Sequence, residues 1–521
     1  MSKVFVLGLD GATFRMIDPL LEKNKLPTIA ALMKKGVYGN LESTIPPVTG
    51  PAWTSFLTGK SPAKHGIFDF TCFDPNSYER HLLNSTHIKA ETLAEIASRN
   101  GKKVGFVNMP MTYPPFPVNG FMISGILAPN EKCRFTYPEE LYPELLLNVG
   151  DYRIDYSISG YPTLEEMSKD LNRVTELRKK TILYLMDKYE WDLFCAVFVG
   201  IDRIQHWVWR FTDSKYKFKT DEEARFRNII YSYYEYTDRV IGDILERLSE
   251  DDFFIINSDH GFCSSYNRFH LNNWLEKEGF LSFSKEPVSE KGTQIEHFFE
   301  KWACHKNTLV NRIDWSSTKA FSGHETEHGI FINLEGKFPQ GTVKPSEMNA
   351  LTEQIREKLL KTKDPETGLN VLDNVYRKEE IYNGPCLAYA PDLILITRNQ
   401  EYEISDEGHH AKGFLSKHIM GIHHRSGILI MSGNSKVLNT GRVDGISILD
   451  LAPTILYLCG LSIPGDIDGK IISNAFRPEY MELNPPVYEE AASIQRLQDT
   501  GIYSKEDIAQ IQKRLENLGY M

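Results

Sequence analysis

Short unbroken apolar runs alternate along this chain with longer segments in which apolar positions recur every three or four residues. Val4-Phe-Val-Leu-Gly-Leu9, Val104 to Asn108, Leu193-Phe-Cys-Ala-Val-Phe-Val199 and Phe253-Phe-Ile-Ile256 are runs of the first kind. They have the pattern of strands covered on both faces. Pro27-Thr-Ile-Ala-Ala-Leu-Met-Lys-Lys-Gly36 predicts a helix with proline at its first position and glycine past its end. Residues 137 to 190 are mainly helical and polar, and Phe226, Ile230, Tyr233, Thr237, Ile241, Leu245 and Leu248 follow at helical spacing. Strands that alternate with helices in this way predict a parallel α/β domain.

The second half of the chain continues the pattern after a break. Residues 264 to 317 are aromatic and charged with weak periodicity, and are read as an insertion over the carboxyl edge of the sheet. Gly329-Ile-Phe-Ile-Asn-Leu, Asp392-Leu-Ile-Leu-Ile-Thr and Gly427-Ile-Leu-Ile-Met-Ser-Gly433 predict further strands, with helices near 347 to 361 and 447 to 460. The last helix opens at Ser504-Lys-Glu-Asp507, a variant of the capping box. It carries Ile508, Ile511, Leu515 and Leu518 on one face and stops at Gly519. That places one large α/β domain over 1–475, with inserted segments near 127–190 and 264–317, and a C-terminal helical extension over 476–521 that packs on it.

Composition narrows the setting. The 521 residues are 41% hydrophobic and 25% charged, enough for one large α/β domain with insertions. The 59 basic and 70 acidic residues leave a net charge of -11, which argues against duplex nucleic acid or an anionic membrane as the main partner. Seven cysteines, odd in number and never in Cys-x-x-Cys, speak for a reducing compartment and against a thiolate zinc site. With no signal-peptide pattern and no run of about 18 apolar residues, the expectation is a cytoplasmic protein with no membrane span.

The candidate chemistry sits where strands should end. Asp10 closes the first strand in Gly8-Leu-Asp-Gly-Ala, and Asp259-His260-Gly261 repeats that placement after Phe253 to Ser258. Ligands in open α/β sheets bind beyond the carboxyl ends of strands. The bland alternative for Asp10 is an Asp-Gly turn. Adjacent residues within a strand face opposite ways, so Asp259 and His260 can share a site only if the strand has already ended. Asp202 and His206 follow the strand Leu193 to Val199. On a helix their four-residue spacing sets both on one face, for a metal or for a plain surface pair. Thr49 precedes Pro51-Ala-Trp-Thr-Ser-Phe-Leu, a helix start whose unpaired amides favour an alkoxide and a bound phosphoryl group, although for a threonine taken alone an ordinary N-cap is the better explanation. Carboxylate and imidazole ligands together suit zinc or manganese better than magnesium.

Together these blocks resemble the type I phosphodiesterase and nucleotide pyrophosphatase family of the alkaline phosphatase superfamily. Pro47-Val-Thr49-Gly-Pro-Ala-Trp-Thr-Ser-Phe-Leu-Thr-Gly-Lys-Ser-Pro-Ala-Lys-His65-Gly-Ile is similar to its nucleophile segment. Asp10-Gly, Asp202-x-x-x-His206, Asp259-His260-Gly and Gly421-Ile-His423 follow in the family's order, and Leu449 to Gly460 with Asp466-Ile-Asp-Gly469 resembles its closing helix and loop. The resemblance implies a three-layer sandwich with a mostly parallel central sheet, helices on both faces and insertions forming a cap. It puts Asp202, His206 and His423 on one divalent cation and Asp10, Thr49, Asp259 and His260 on a second, zinc or manganese. His424 is the alternative to His423, which keeps the Gly-x-His pattern. His324 and His328 match no family ligand and are read as rim or solvated residues.

The activity so implied is hydrolysis of a small-molecule phosphodiester or nucleotide pyrophosphate through a phosphothreonine on Thr49, with Gly50 and Trp53 beside the substrate. The chain departs from the family in one respect. Family members that cleave nucleotide diesters carry an asparagine after the nucleophile, and this segment offers Ala52 and Trp53 instead. A phosphomonoesterase or a phosphoryl-alcohol transferase therefore stays open, as does a metal-stabilised binding protein without turnover. A sulfatase is disfavoured because Thr49-Gly-Pro51-Ala-Trp53 lacks the Cys-x-Pro-x-Arg residues. A phosphoglycerate mutase is disfavoured because its Asn-Ser-Glu-x-Gly-His segment is missing.

Overall fold

Three of the apolar runs lie side by side. In the computed structural model, which describes residues 2–74, 77–156, 161, 163–284, 313–323, 328–405, 413–492 and 501–517, the strand Val4–Leu9 is flanked by Phe253–Asn257 and Leu193–Phe198, all parallel. Every residue of these three strands is buried. This is why they read as continuous apolar runs rather than as alternating ones. Val104–Met109 and Gly120–Ser124 extend the parallel block beyond Leu193–Phe198. On the other side Ser426–Ser432 pairs antiparallel with both Phe253–Asn257 and Val37–Glu42. Short edge pieces complete a ten-stranded mixed sheet.

Helices cover the sheet in two groups. Pro27–Lys35, Leu164–Lys188 and Gly200–Val208 pack with the 25-residue helix Asp221–Leu245, whereas Thr49–Thr58, Leu93–Arg99 and Leu451–Leu458 pack with one another. The helix Leu164–Lys188 buries Leu171, Val174, Ile182 and Leu185 in the main core. This part of the segment near 127–190, expected as a cap, is thus a layer of the sandwich. The excursion expected over 264–317 is larger than the sequence pattern indicated. The strands Gly329–Ile332 and Leu393–Thr397 leave the main sheet and join Ala320–Phe321 and Leu372–Arg377 in a separate four-stranded sheet. That sheet has its own core with Trp274, Phe331, Ile355 and Leu395. A third sheet places Gly261–His270 between Tyr402–Ser405 and Leu415–His424. Residues 285–312 of the expected insertion, and His324, lie outside the described residues.

The C-terminal helix Lys505–Asn517 is capped as its sequence predicts: Ser504 N–H donates to Asp507 Oδ2 at 2.9 Å and Asp507 N–H to Ser504 Oγ at 3.1 Å. Ile511 and Leu515 are wholly buried in the main core, and each contributes roughly 1.5–3 kcal/mol by that burial. Arg514 is buried with them and donates to the carbonyls of Ile126, Ala128 and Pro129. Leu518 and Gly519 lie outside the described residues. Tyr113 stacks on Tyr503 of this extension, with centroids 5.6 Å apart. Among the described helices none is long and apolar enough to cross a membrane.

Candidate metal centre

The parallel block brings three strand ends together. Asp10 follows Val4–Leu9, Asp202 lies in the helix entered from Leu193–Phe198, and Asp259 follows Phe253–Asn257. Because these strands are adjacent and in register, three residues spread over 250 positions converge on one edge of the sheet. All three are completely buried.

Two glycines make the convergence feasible. A Cβ at Gly8 would run into the indole of Trp53, and a Cβ at Gly11, whose φ is +72°, would lie 3.1 Å from Asp202 Cα. Gln205 Nε2 donates to Gly11 O at 2.7 Å and Ser258 Oγ to Ala12 O at 3.0 Å, bracing the turn after Asp10.

Each of the three carboxylates has one oxygen held by a protein donor. Trp53 Nε1 donates to Asp10 Oδ2 at 3.2 Å, Gly11 N–H to Asp259 Oδ1 at 3.2 Å, and Arg203 Nη1 to Asp202 Oδ2 at 2.6 Å. The other oxygen of each faces imidazole nitrogens. Asp10 Oδ1 and Asp259 Oδ2 lie 3.7 and 3.3 Å from His260 Nε2. Asp202 Oδ1 lies 3.3 Å from His423 Nε2 and 3.4 Å from His206 Nε2. Among the described residues, no hydrogen-bond donor reaches Asp10 Oδ1 or Asp259 Oδ2, both of them buried.

The histidines are oriented by the same logic. His260 Nδ1 donates to Gly261 O at 3.1 Å and His423 Nδ1 to Pro47 O at 2.9 Å, which leaves each Nε2 toward the centre. His206 Nε2 and His423 Nε2 are 2.9 Å apart, and the rings of His260 and His423 stack at 3.6 Å. Asp259 and His260 can both face inward because the strand stops at Asn257. Asp202 and His206 are one turn apart on Gly200–Val208, as their spacing predicts. His424 lies outside this cluster: Ser426 N–H donates to its Nδ1 at 3.0 Å.

Thr49 is the first residue of the helix Thr49–Thr58, with Val48 rather than Thr49 as its N-cap. Its hydroxyl is 3.3 Å from His260 Nε2. The space beside Gly50 is taken by Phe70 and the Asp69 backbone, and the Asp69 carboxylate pairs with Arg80 at 3.3 Å. Trp53, expected beside the substrate, is fully buried, packs edge-on against Phe56 and donates to Asp10.

The electrostatics follow from this crowding. Burial, then the charges of Asp259 and Asp202, push the Asp10 carboxyl well up. Burial and Asp202 push Asp259 up to about 7. Burial pushes Asp202 up as well, but His206, His423 and Arg203 outweigh it and hold this carboxyl well down. Burial depresses His260 and His206, keeping both imidazoles neutral. Burial and neighbouring His423 push His328 down to about 4. Two sets of ligand-type atoms are each compact enough for one ion: Asp10 with Asp259 and His260, and Asp202 with His260 and His423. Donorless buried carboxylate oxygens beside neutral imidazole nitrogens fit divalent cations. A cavity of about 400 Å³ elsewhere, walled by Phe68, Phe73, Phe331 and Phe338, contains none of these groups.

Arg203 and the orienting role of Trp53 were not anticipated from sequence. The only signal for Arg203 was a lone basic residue between Asp202 and Ile204 in a buried helix.

Sheet order, strand-end carboxylates and flanking helices define the alkaline-phosphatase-like hydrolase fold. Phosphonoacetate hydrolase from Sinorhizobium meliloti 1021, solved with phosphonoformate, superposes with a TM-score of 0.54 at 14% identity, over 87% of this chain and 94% of its own. Murine ectonucleotide pyrophosphatase/phosphodiesterase 5, an inactive variant solved with AMP, gives 0.51 at 14% identity over 92% of this chain and 100% of its own. At that identity the likeness establishes the fold. No curated protein matches the chain. The family model for type I phosphodiesterase / nucleotide pyrophosphatase matches residues 4–424, and the chain belongs to that family. Its members are metal-dependent hydrolases of phosphoesters, and the chain carries residue groups able to hold the metals.

Proposed function

We propose that this protein cleaves phosphodiesters or nucleotide pyrophosphate linkages, with Thr49 as nucleophile. The observation that carries the reading is the shared orientation of Asp10, Asp202 and Asp259, each with one oxygen held by the protein and one facing His260 or the His206–His423 pair, beside the Thr49 hydroxyl. Two divalent cations, zinc or manganese from the ligand types, would neutralise the buried carboxylates and supply charge stabilisation to the transferring phosphoryl group.

Thr49 Oγ attacks phosphorus and gives up its proton, an O–P bond forms, and the bond to the leaving group breaks, an alcohol from a diester or a phosphate from a pyrophosphate, which carries the proton away. Water then hydrolyses the phosphothreonine, returning the hydroxyl and a phosphate monoester. The N-terminus of Thr49–Thr58 favours negative charge at that position. The Gly50 backbone N–H, next along the chain, is the donor proposed for a nonbridging oxygen in place of the missing asparagine amide. The preference for diesters rests on the family.

The test is the ratio of kcat/KM for bis-p-nitrophenyl phosphate to that for p-nitrophenyl phosphate, on protein reconstituted with zinc or manganese. A preference of ~10 to 1,000-fold for the diester is expected, or ~1.4 to 4 kcal/mol of differential transition-state binding. Equal or faster monoester turnover would replace the diesterase by a phosphatase. Tight metal binding with no turnover of either would leave a binding protein. A cytoplasmic location is proposed with it, from the cysteine usage alone.

A further inference from the structure

Of the three donors that orient the carboxylates, two are neutral and one is not. Trp53 and Gly11 each offer a single N–H, while Arg203 brings a full positive charge that is itself wholly buried. A buried guanidinium is tolerated only with close counter-charges. Arg203 has two: Asp202 Oδ2 at 2.6 Å from Nη1 and Asp155 Oδ2 at 3.3 Å from Nη2. Asp155 is buried too and lies outside the group of proposed ligands.

The loop that supplies Asp155 is fixed from several sides. Its Oδ1 accepts Tyr156 N–H at 2.8 Å. Arg178, also buried, donates through Nη2 to the carbonyls of Arg153 and Ile154 at 3.1 and 2.7 Å, and Ile154 N–H donates to Glu131 Oε1 at 3.0 Å. The result is a held chain of contacts, Asp155 to Arg203 to Asp202, that ends on the one carboxylate whose second oxygen faces both His206 and His423.

We propose that Arg203 and Asp155 are a positioning pair for the cation site of Asp202, His206 and His423, fixing which Asp202 oxygen is presented and offsetting the charge of the metal-free site. Neither touches the reacting atoms. This role rests on the metal centre proposed above. Arg203 occupies Oδ2, so Asp202 can offer the centre only Oδ1. Without Arg203 the carboxylate is free to rotate, and Asp155 loses the guanidinium bonded to it and keeps only the more distant charge of Arg514. Asp155 in turn keeps the guanidinium from turning fully toward Asp202 and the imidazoles. The charge of Arg203 is felt at Asp10 as well, but its guanidinium bonds only Asp202 among the three carboxylates, so the loss of orientation should fall mainly on one of two cations.

The experiment is titration of metal-free protein with Mn2+, followed by electron paramagnetic resonance, on the full chain and on Arg203→Met, Arg203→Lys, Asp155→Asn and the Met/Asn double variant. Arg203→Met should weaken one of the two Mn2+ sites ~10- to 100-fold and leave the other within about threefold. Arg203→Lys should recover part of the loss. Asp155→Asn should weaken the same site by about three- to tenfold, and adding it to Arg203→Met should cost less than the two losses combined, because the pair acts as a unit. Two Mn2+ sites of unchanged affinity in Arg203→Met, equal weakening of both sites, or fully additive losses would each overturn the proposal. If Arg203→Met does not fold, the charge-removing but isosteric Asp155→Asn decides it alone: an unchanged Mn2+ affinity overturns the pair. Wild-type protein that binds no Mn2+ would instead overturn the metal-centre reading itself.

Discussion

The two sides of the centre are built from the same residue types by different means. On the Asp10 side, two carboxylates and His260 stand on turns just past strand ends, and neutral groups hold them: the Trp53 indole, the Gly11 amide and the Gly261 carbonyl. On the Asp202 side, one carboxylate and one imidazole share a helix, the second imidazole comes from the end of Leu415–His424, and a buried cation stands behind them. The first side crowds two buried carboxyls together, so that Asp10 is pushed well up and Asp259 up to about 7. The second is already paired, and its carboxyl is held well down. Burial alone does not set the protonation of a carboxylate; the charge of its partner decides between two equally buried groups.

The largest expected effect tests whether chemistry belongs to the Asp10 side. Thr49→Ala should lower kcat at least several hundredfold while cation content stays near wild type, since the other six ligand-type residues remain. Activity within about tenfold of wild type would remove Thr49 from the role of nucleophile.

Next comes the Asp202 side. His423→Ala should release about one cation per chain and weaken that site by ~100-fold, whereas His424→Ala, which alters a ring outside the cluster, should leave both cations bound. Metal analysis with the opposite pattern would transfer the ligand to His424.

The comparison predicts an unequal response to pH. A cation on the Asp10 side must displace protons from Asp259, whose folded value is about 7, and from the raised Asp10. Below pH 7 its affinity should therefore fall by about tenfold per pH unit for each proton displaced. On the Asp202 side the carboxyl is already ionised, so the fall should be smaller. Calorimetric titration between pH 5.5 and 8, in buffers of different ionisation enthalpy, counts the protons released. Equal proton release at both sites would erase the distinction.

The smallest effect concerns the neutral orienting group. Trp53→Phe removes the N–H that holds Asp10 Oδ2 but keeps most of the buried ring. Cation affinity on the Asp10 side should drop by about tenfold with the other side unchanged. No change would mean that Trp53 serves packing alone.

Much of this protein was legible along the chain. Strands buried on both faces leave unbroken apolar runs, so Val4–Leu9, Leu193–Phe198 and Phe253–Asn257 could be placed without a structure, as could the cap of the last helix at Ser504 and Asp507. The Asp202–His206 spacing carried its own geometry, because a helix fixes the relation of residues four apart.

Other features depended on contacts between distant segments. The same local apolar pattern predicts a strand at Gly329–Ile332 and at Ser426–Ser432, but only pairing puts the first in the separate sheet and the second in the main one. His423 and His424 are adjacent and chemically identical; only the folded chain sets the first against the Pro47 carbonyl within the cluster and turns the second away from it. Trp53 reads as an apolar residue near a nucleophile until Gly8 and Asp10 turn out to lie against it. Arg203 reads as a helix charge until Asp155, 48 residues away, appears beside it. Local sequence determines periodicity, caps and turns because those interactions lie within a few residues. The partner of a buried polar group is decided by tertiary structure, because in the core that partner comes from whichever segment the packing brings near.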